Sequence, residues 1–166
     1  MAKKISASGV AALLEQTSRL IHSAGHAEGL YPAQWSALRY FDEAPAPNRT
    51  TASLARFQGM NLGPVARTVR TLVDKGLLVR TGNPKSRKAD LLALTMPGRS
   101  LLDRDPRRAL AARIATLSPR RQEELAAVLE TLLQGMFLDW KGIGGPAAEK
   151  PAGKIDPVAV KEKETA

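Results

Sequence analysis

The 166-residue chain contains no cysteine. That excludes a disulfide-stapled scaffold, a cysteine-ligated zinc or iron–sulfur site, and a sensor that works by thiol oxidation. Long hydrophobic runs are also missing, since no stretch approaches the ~18 apolar residues that span a bilayer. No apolar segment of a secretory signal follows Met1-Ala2-Lys3-Lys4-Ile5-Ser6, so a cytoplasmic protein with no membrane partner is expected. The only histidines are His22 and His26. The chain has no glycine-rich phosphate loop, no Gly-x-Ser-x-Gly turn and no convincing catalytic triad. The expectation is therefore a protein that is not an enzyme and needs no cofactor. What is present is 43% hydrophobic residues, enough for one packed domain.

Acidic residues are scarce in one region. The formal net charge is +9, and residues 48–104 hold eleven basic groups against Asp74, Asp90 and Asp103, a local net of +8. Residues 1–47 and 142–166 are each neutral, and residues 105–141 carry +1. An excess confined to the central third points to a polyanion such as nucleic acid; the alternative is a solvated basic face.

Apolar spacing places helices around this region. Val10, Leu13, Leu14, Thr17, Leu20, Ile21 and Ala24 form one stripe of a helix over residues 6–24. Pro32 opens a second helix, which stops in the Ala44-Pro45-Ala46-Pro47-Asn48 run. A short helix over 51–58 turns Leu54 and Ala55 inward and ends at Gly59. Asn61 is read as the N-cap of a longer helix reaching Lys75, with Gly63 and Pro64 in its first turn and Val65, Val69, Leu72 and Val73 inward. Gly76 ends it. Leu77–Thr81 and Leu91–Thr95 read as two strands joined by a basic turn. Further helix starts follow at Pro97, Pro106 and Ser118-Pro119. Leu125, Val128, Leu129, Leu132, Leu133, Met136, Phe137 and Trp140 form the longest apolar stripe in the chain. Residues 142–166 are rich in Gly, Pro, Ala, Lys and Glu and read as a disordered tail after a single domain over 1–141.

A helix-turn-helix needs a small residue where its helices meet, a glycine in the turn and a branched residue locking the second helix. Ala55, Gly59 and Val65 satisfy these, with Leu54 and Met60 as further core positions. The strand–basic turn–strand that follows makes the module over 48–96 a winged form. The fold class expected is thus mainly α with a small β-hairpin wing. The second helix would enter the major groove with its N-terminal half toward the bases. Candidate DNA-binding residues are Asn61 for a phosphate, Leu62 for a thymine methyl, Gly63 for close approach, and Arg67 and Arg70 for phosphate or guanine. Lys85, Ser86, Arg87 and Lys88 would form a wing tip for the minor groove or backbone.

Several runs carry a resemblance: Gln34-Trp35-Ser36-Ala37-Leu38, Leu54-Ala55, Val65-Ala66-Arg67-Thr68-Val69, Leu72-Val73-Asp74-Lys75-Gly76-Leu77-Leu78 and Leu92-Ala93-Leu94-Thr95-Met96-Pro97-Gly98-Arg99. Over about residues 8–140 the chain resembles the MarR family of bacterial transcriptional regulators. The resemblance implies an obligate homodimer with interleaved terminal helices on a pseudo-palindromic operator. In many members it implies a repressor released by a small, often aromatic, anionic ligand. The chain departs from the family's pattern at the wing, where Ser86-Arg87-Lys88 stands for Asp-x-Arg. A second departure is at the recognition helix, which starts Leu62-Gly63-Pro64.

A dimer is also expected from the stripes themselves, because a small winged domain has too little core to cover both 6–24 and 118–140; intramolecular packing of the two is the alternative. His22, Trp35 and Arg39 are candidate effector contacts. His22 and His26 stand four apart, a metal-compatible spacing, but no third ligand is evident and no metal site is expected. The expected function is a sequence-specific transcriptional regulator, most often a repressor in this family. The alternatives are a non-specific nucleoid-like DNA-binding protein, or a protein-interaction module that has lost DNA binding.

Overall fold

The computed structural model describes residues 6–82 and 90–142, the last six as backbone only. Its element order is α1 (Ala7–Ala24), α2 (Pro32–Glu43), a 3-10 turn (Ala46–Asn48), α3 (Thr51–Gln58), α4 (Leu62–Asp74), β1 (Leu78–Thr81), β2 (Leu91–Leu94), α5 (Met96–Leu102), α6 (Arg107–Ala115) and α7 (Pro119–Gly142). The strands pair antiparallel, from Leu78 opposite Leu94 to Thr81 opposite Leu91. This is the mainly helical chain with a hairpin wing that the apolar spacing implies.

The core gathers α2, α3, α4 and the hairpin. Trp35, Ala37, Leu38 and Phe41 of α2 meet Leu54 and Ala55 of α3, Val65, Val69 and Leu72 of α4, and Leu78, Leu92 and Leu94 of the strands. Met60 departs from expectation: it is 44% exposed. Its backbone N–H bonds back to the Ala55 carbonyl around left-handed Gly59, and that bond closes the turn without using the Met60 side chain.

Side-chain caps open three helices. Ser6, Thr50 and Thr95 each accept the N–H three residues on. Asn61 occupies the same position before α4 but makes no such bond. The residue three on is Pro64, which has no N–H to give. The cap expected of Asn61 is therefore absent, and its amide stays available.

The exit from α4 and the start of α5 interlock. Gly76 turns the chain at φ +69°. Thr95 donates its hydroxyl to the Gly76 carbonyl at 2.6 Å and its backbone N–H to the Leu77 carbonyl at 3.1 Å. Gly98 closes against the same carbonyl so tightly that a Cβ there would lie 2.1 Å from the Leu77 oxygen. The Gly-Leu and Thr-x-x-Gly elements thus form one joint between α4, the hairpin and α5.

Ion pairs tie α2 and the loop before it to α5 and α6. Arg99 meets Asp42 at 3.1 Å, Arg104 meets Glu28 at 2.9 Å and Arg107 meets Glu43 at 3.2 Å, all largely exposed pairs of small individual worth. The Arg39–Asp105 pair is different. One guanidinium nitrogen lies 2.9 and 3.0 Å from the two Asp105 oxygens, and the buried carboxylate also accepts the Arg107 N–H. Asp105→Asn keeps an acceptor but removes the charge, and is expected to cost about 2 kcal/mol. At this chain length that is a fall of about 4–8 °C in Tm by circular dichroism; an unchanged Tm would show that the pair contributes nothing.

Candidate nucleic-acid interface

Burial of Val65, Val69 and Leu72 fixes how α4 is rotated. At about 100° per residue, Arg67 is turned about 160° and Arg70 about 140° from Val65, facing away from the core. Both are exposed, and neither has a carboxylate within ion-pair distance among the described residues. Gly63 shares this outward face, with open space where its Cβ would stand. The structure thus brings Gly63, Arg67 and Arg70 to one side of α4, while Leu62, about 60° from Val65 by the same rule, and the N-cap Asn61 are exposed at its N-terminal end.

The central +8 is less concentrated in space than in sequence. Arg99 and Arg104 are neutralised by Asp42 and Glu28, acids from outside the basic segment. Lys75 donates to the Gly29 carbonyl at 2.7 Å, and Arg49 to the Ala44 carbonyl at 2.8 Å. These cations brace the module, leaving Arg67 and Arg70 as the outward cations of α4, with exposed Asp74 one turn beyond Arg70 on the same face.

Arg80 and Asp90 pair across the base of the wing at 3.4 Å. A carboxylate therefore reaches an arginine in this hairpin, but from Asp90 rather than from the Ser86 position. The wing-tip residues Lys85, Ser86, Arg87 and Lys88 lie outside the described residues.

The three candidate effector contacts separate. Trp35 is 1% exposed and belongs to the core, with no hydrogen-bond partner for its indole N–H. Arg39 is occupied by Asp105, a partner 66 residues away that sequence spacing does not reveal. His22 lines an open groove of about 430 Å³ with Ser18, Arg19, Ser23 and His26. The His22 and His26 rings meet edge to face at 5.3 Å, and His26 meets Tyr31 likewise at 5.5 Å. No cluster of three metal-ligating residues occurs among the described residues. Burial raises the Tyr40 phenol above its ordinary range, against the lowering influence of Ser53 and Arg56; its hydroxyl donates to the Asn48 carbonyl at 2.8 Å and ties α2 to the 3-10 turn.

Among the described residues the apolar stripes of the two terminal helices are largely exposed in the protomer. No residue of α1 is buried. Val10, Leu13, Leu14, Leu20 and Ile21 on α1 are 40–65% exposed, and Leu125, Val128, Leu132, Leu133 and Met136 on α7 are 36–64% exposed. Phe137 and Trp140 at the end of the stripe have no described side chains. Among the described residues no helix is long and apolar enough to cross a membrane.

The sequence profile of the MarR family matches residues 28–89. No curated protein matches the chain. Many solved structures do. A probable transcriptional regulator from Pseudomonas aeruginosa is 28% identical, covering 74% of this chain and 96% of its own, at a TM-score of 0.58. A MarR-family protein from Mycobacterium tuberculosis, solved with salicylic acid, is 25% identical over 80% of this chain and 99% of its own, at 0.54. A MarR-family regulator from Streptomyces coelicolor, solved in complex with DNA, is 18% identical over 81% of this chain and 91% of its own, at 0.64, and supports the fold.

Proposed function

Residues 28–89 match the MarR-family profile, and from that match we propose that the protein is a homodimeric, sequence-specific transcriptional regulator of that family, acting as a repressor in the cytoplasm. The observation that carries this reading is the outward face of α4, where Arg67 and Arg70 have no carboxylate within ion-pair distance among the described residues and share the face with a glycine that has open space at its Cβ position. Such a helix fits the major groove, with its cations on phosphates and its first turn against the base edges. Arg87 and its neighbours on the wing complete the contact in the flanking minor groove. The dimer forms through the exposed apolar stripes of α1 and α7. It presents two α4 helices about one DNA turn apart to a pseudo-palindromic operator.

Salt titration tests the DNA reading. A dimer contacting ~6–10 phosphates loses ~10³–10⁵ in affinity between 50 and 200 mM salt. No salt-dependent binding to any duplex would leave the third reading, a protein-interaction module. Leu132→Glu tests the dimer. Leu132 is 41% exposed in the protomer, so the fold tolerates a charge there. Sedimentation at micromolar concentration is expected to give the monomer mass for this variant and the dimer mass for the natural chain. A dimer in both would place the interface elsewhere.

The open groove at His22 offers the His22 and His26 rings for stacking to a small aromatic effector, beside Arg19, which Glu15 pairs one turn away. The salicylic acid bound by the Mycobacterium tuberculosis protein supports that chemistry.

A further inference from the structure

The leading edge of α4 is almost without polar side chains. Met60 is 44% exposed, Leu62 is 54% exposed, and Pro64 is exposed as well. Gly63 between them is helical and precedes a proline, a place where a Cβ is crowded, and the missing side chain leaves open space. Only Asn61 is polar, and Pro64 leaves its amide unbonded. Apolar side chains held in water favour whatever partner covers them. That partner is also anionic, because Arg67 and Arg70 stand on the outward face of the same helix with no carboxylate within ion-pair distance among the described residues. Duplex DNA meets both demands. Its phosphates flank the major groove, and the floor of that groove carries one apolar group, the C5-methyl of thymine.

Resting on the reading that α4 enters the major groove, we propose that Leu62, with Met60 two residues before it, reads a pyrimidine C5-methyl group in each half-site. Preference at that position then follows the methyl group rather than the hydrogen-bonding pattern of the base. Thymine and 5-methylcytosine carry the group at the same ring position, whereas uracil and cytosine lack it.

The test uses the full chain and duplexes that it selects from a random pool. Each thymine of the selected half-site is replaced in turn by deoxyuridine, which removes the methyl group alone. At one position uracil is expected to weaken binding about fourfold, and about 15-fold when both half-sites are changed. At that position 5-methylcytosine paired with guanine should bind more tightly than cytosine by a similar factor. Leu62→Ala should bind the thymine and uracil duplexes equally. Indifference to uracil at every position overturns the methyl readout and leaves specific DNA binding standing. A uracil penalty that survives in Leu62→Ala overturns the role of Leu62. Failure to select any duplex over random sequence overturns the sequence-specific reading, and this inference with it.

Discussion

Gly98→Ala is expected to lower the Tm by about 6–12 °C. The added methyl would stand 2.1 Å from the Leu77 carbonyl oxygen, 3.0 Å from its carbon and 3.1 Å from Leu94 Cδ2. Two of these are backbone atoms, and the oxygen is held by the Thr95 N–H at 3.1 Å. No rotamer change relieves that contact, so α5 must lift away from the turn that follows α4. The bonds from Thr95 to Gly76 and from Gly98 to Thr95 would stretch with it. A strained joint of this kind costs about 3 kcal/mol, and a chain of this length loses about 2–4 °C per kcal/mol. Gly63→Ala is the contrast: an added Cβ there meets only the local crowding of its neighbour Pro64, with nothing else within 4 Å. Its melting temperature should move much less. Equal melting of Gly98→Ala and the natural chain, followed by circular dichroism, would show that the joint yields freely.

Removing both outward arginines of α4 should nearly abolish DNA binding while leaving the fold intact. A dimer carries four such side chains, and each phosphate contact contributes about 0.9 to the slope of log affinity against log salt. Arg67→Ala with Arg70→Ala should therefore make the slope shallower by about 3.6. At about 1 kcal/mol for each lost contact, affinity at fixed salt should fall about 10³-fold. Because both side chains are exposed and make no ion pair among the described residues, the melting curve should not move. Arg99→Ala is the control: its charge is matched by Asp42, so the slope should stay as it is. A slope equally shallow in the control, or unchanged in the double variant, would move the interface off α4.

Local rules made most elements legible. Pro32, Gly59, Gly76, Thr95 and Pro119 stand where helices begin or end because their backbone chemistry acts on near neighbours. The Val65, Val69 and Leu72 spacing oriented α4 correctly for the same reason. What stayed hidden depends on distance along the chain. Arg39 reads as free for a ligand until the fold brings Asp105 against it, and Trp35 reads as a contact residue until the core closes over it. Summing charge by segment likewise counts Arg99 and Arg104 toward the DNA face, whereas they brace α5 against α2 and its preceding loop. The Asn61 cap failed locally: a proline three residues on removes the donor that the cap needs. That signal was in the sequence.

The central claim is that this fold recognises a DNA sequence, and not merely DNA. It is tested most directly by competing a selected duplex against random duplex of equal length for the full chain at physiological salt. The account predicts at least ~10³-fold tighter binding to the selected duplex, with two protomers per site. Equal affinity for both duplexes would contradict it and make the protein a non-specific, nucleoid-like binder.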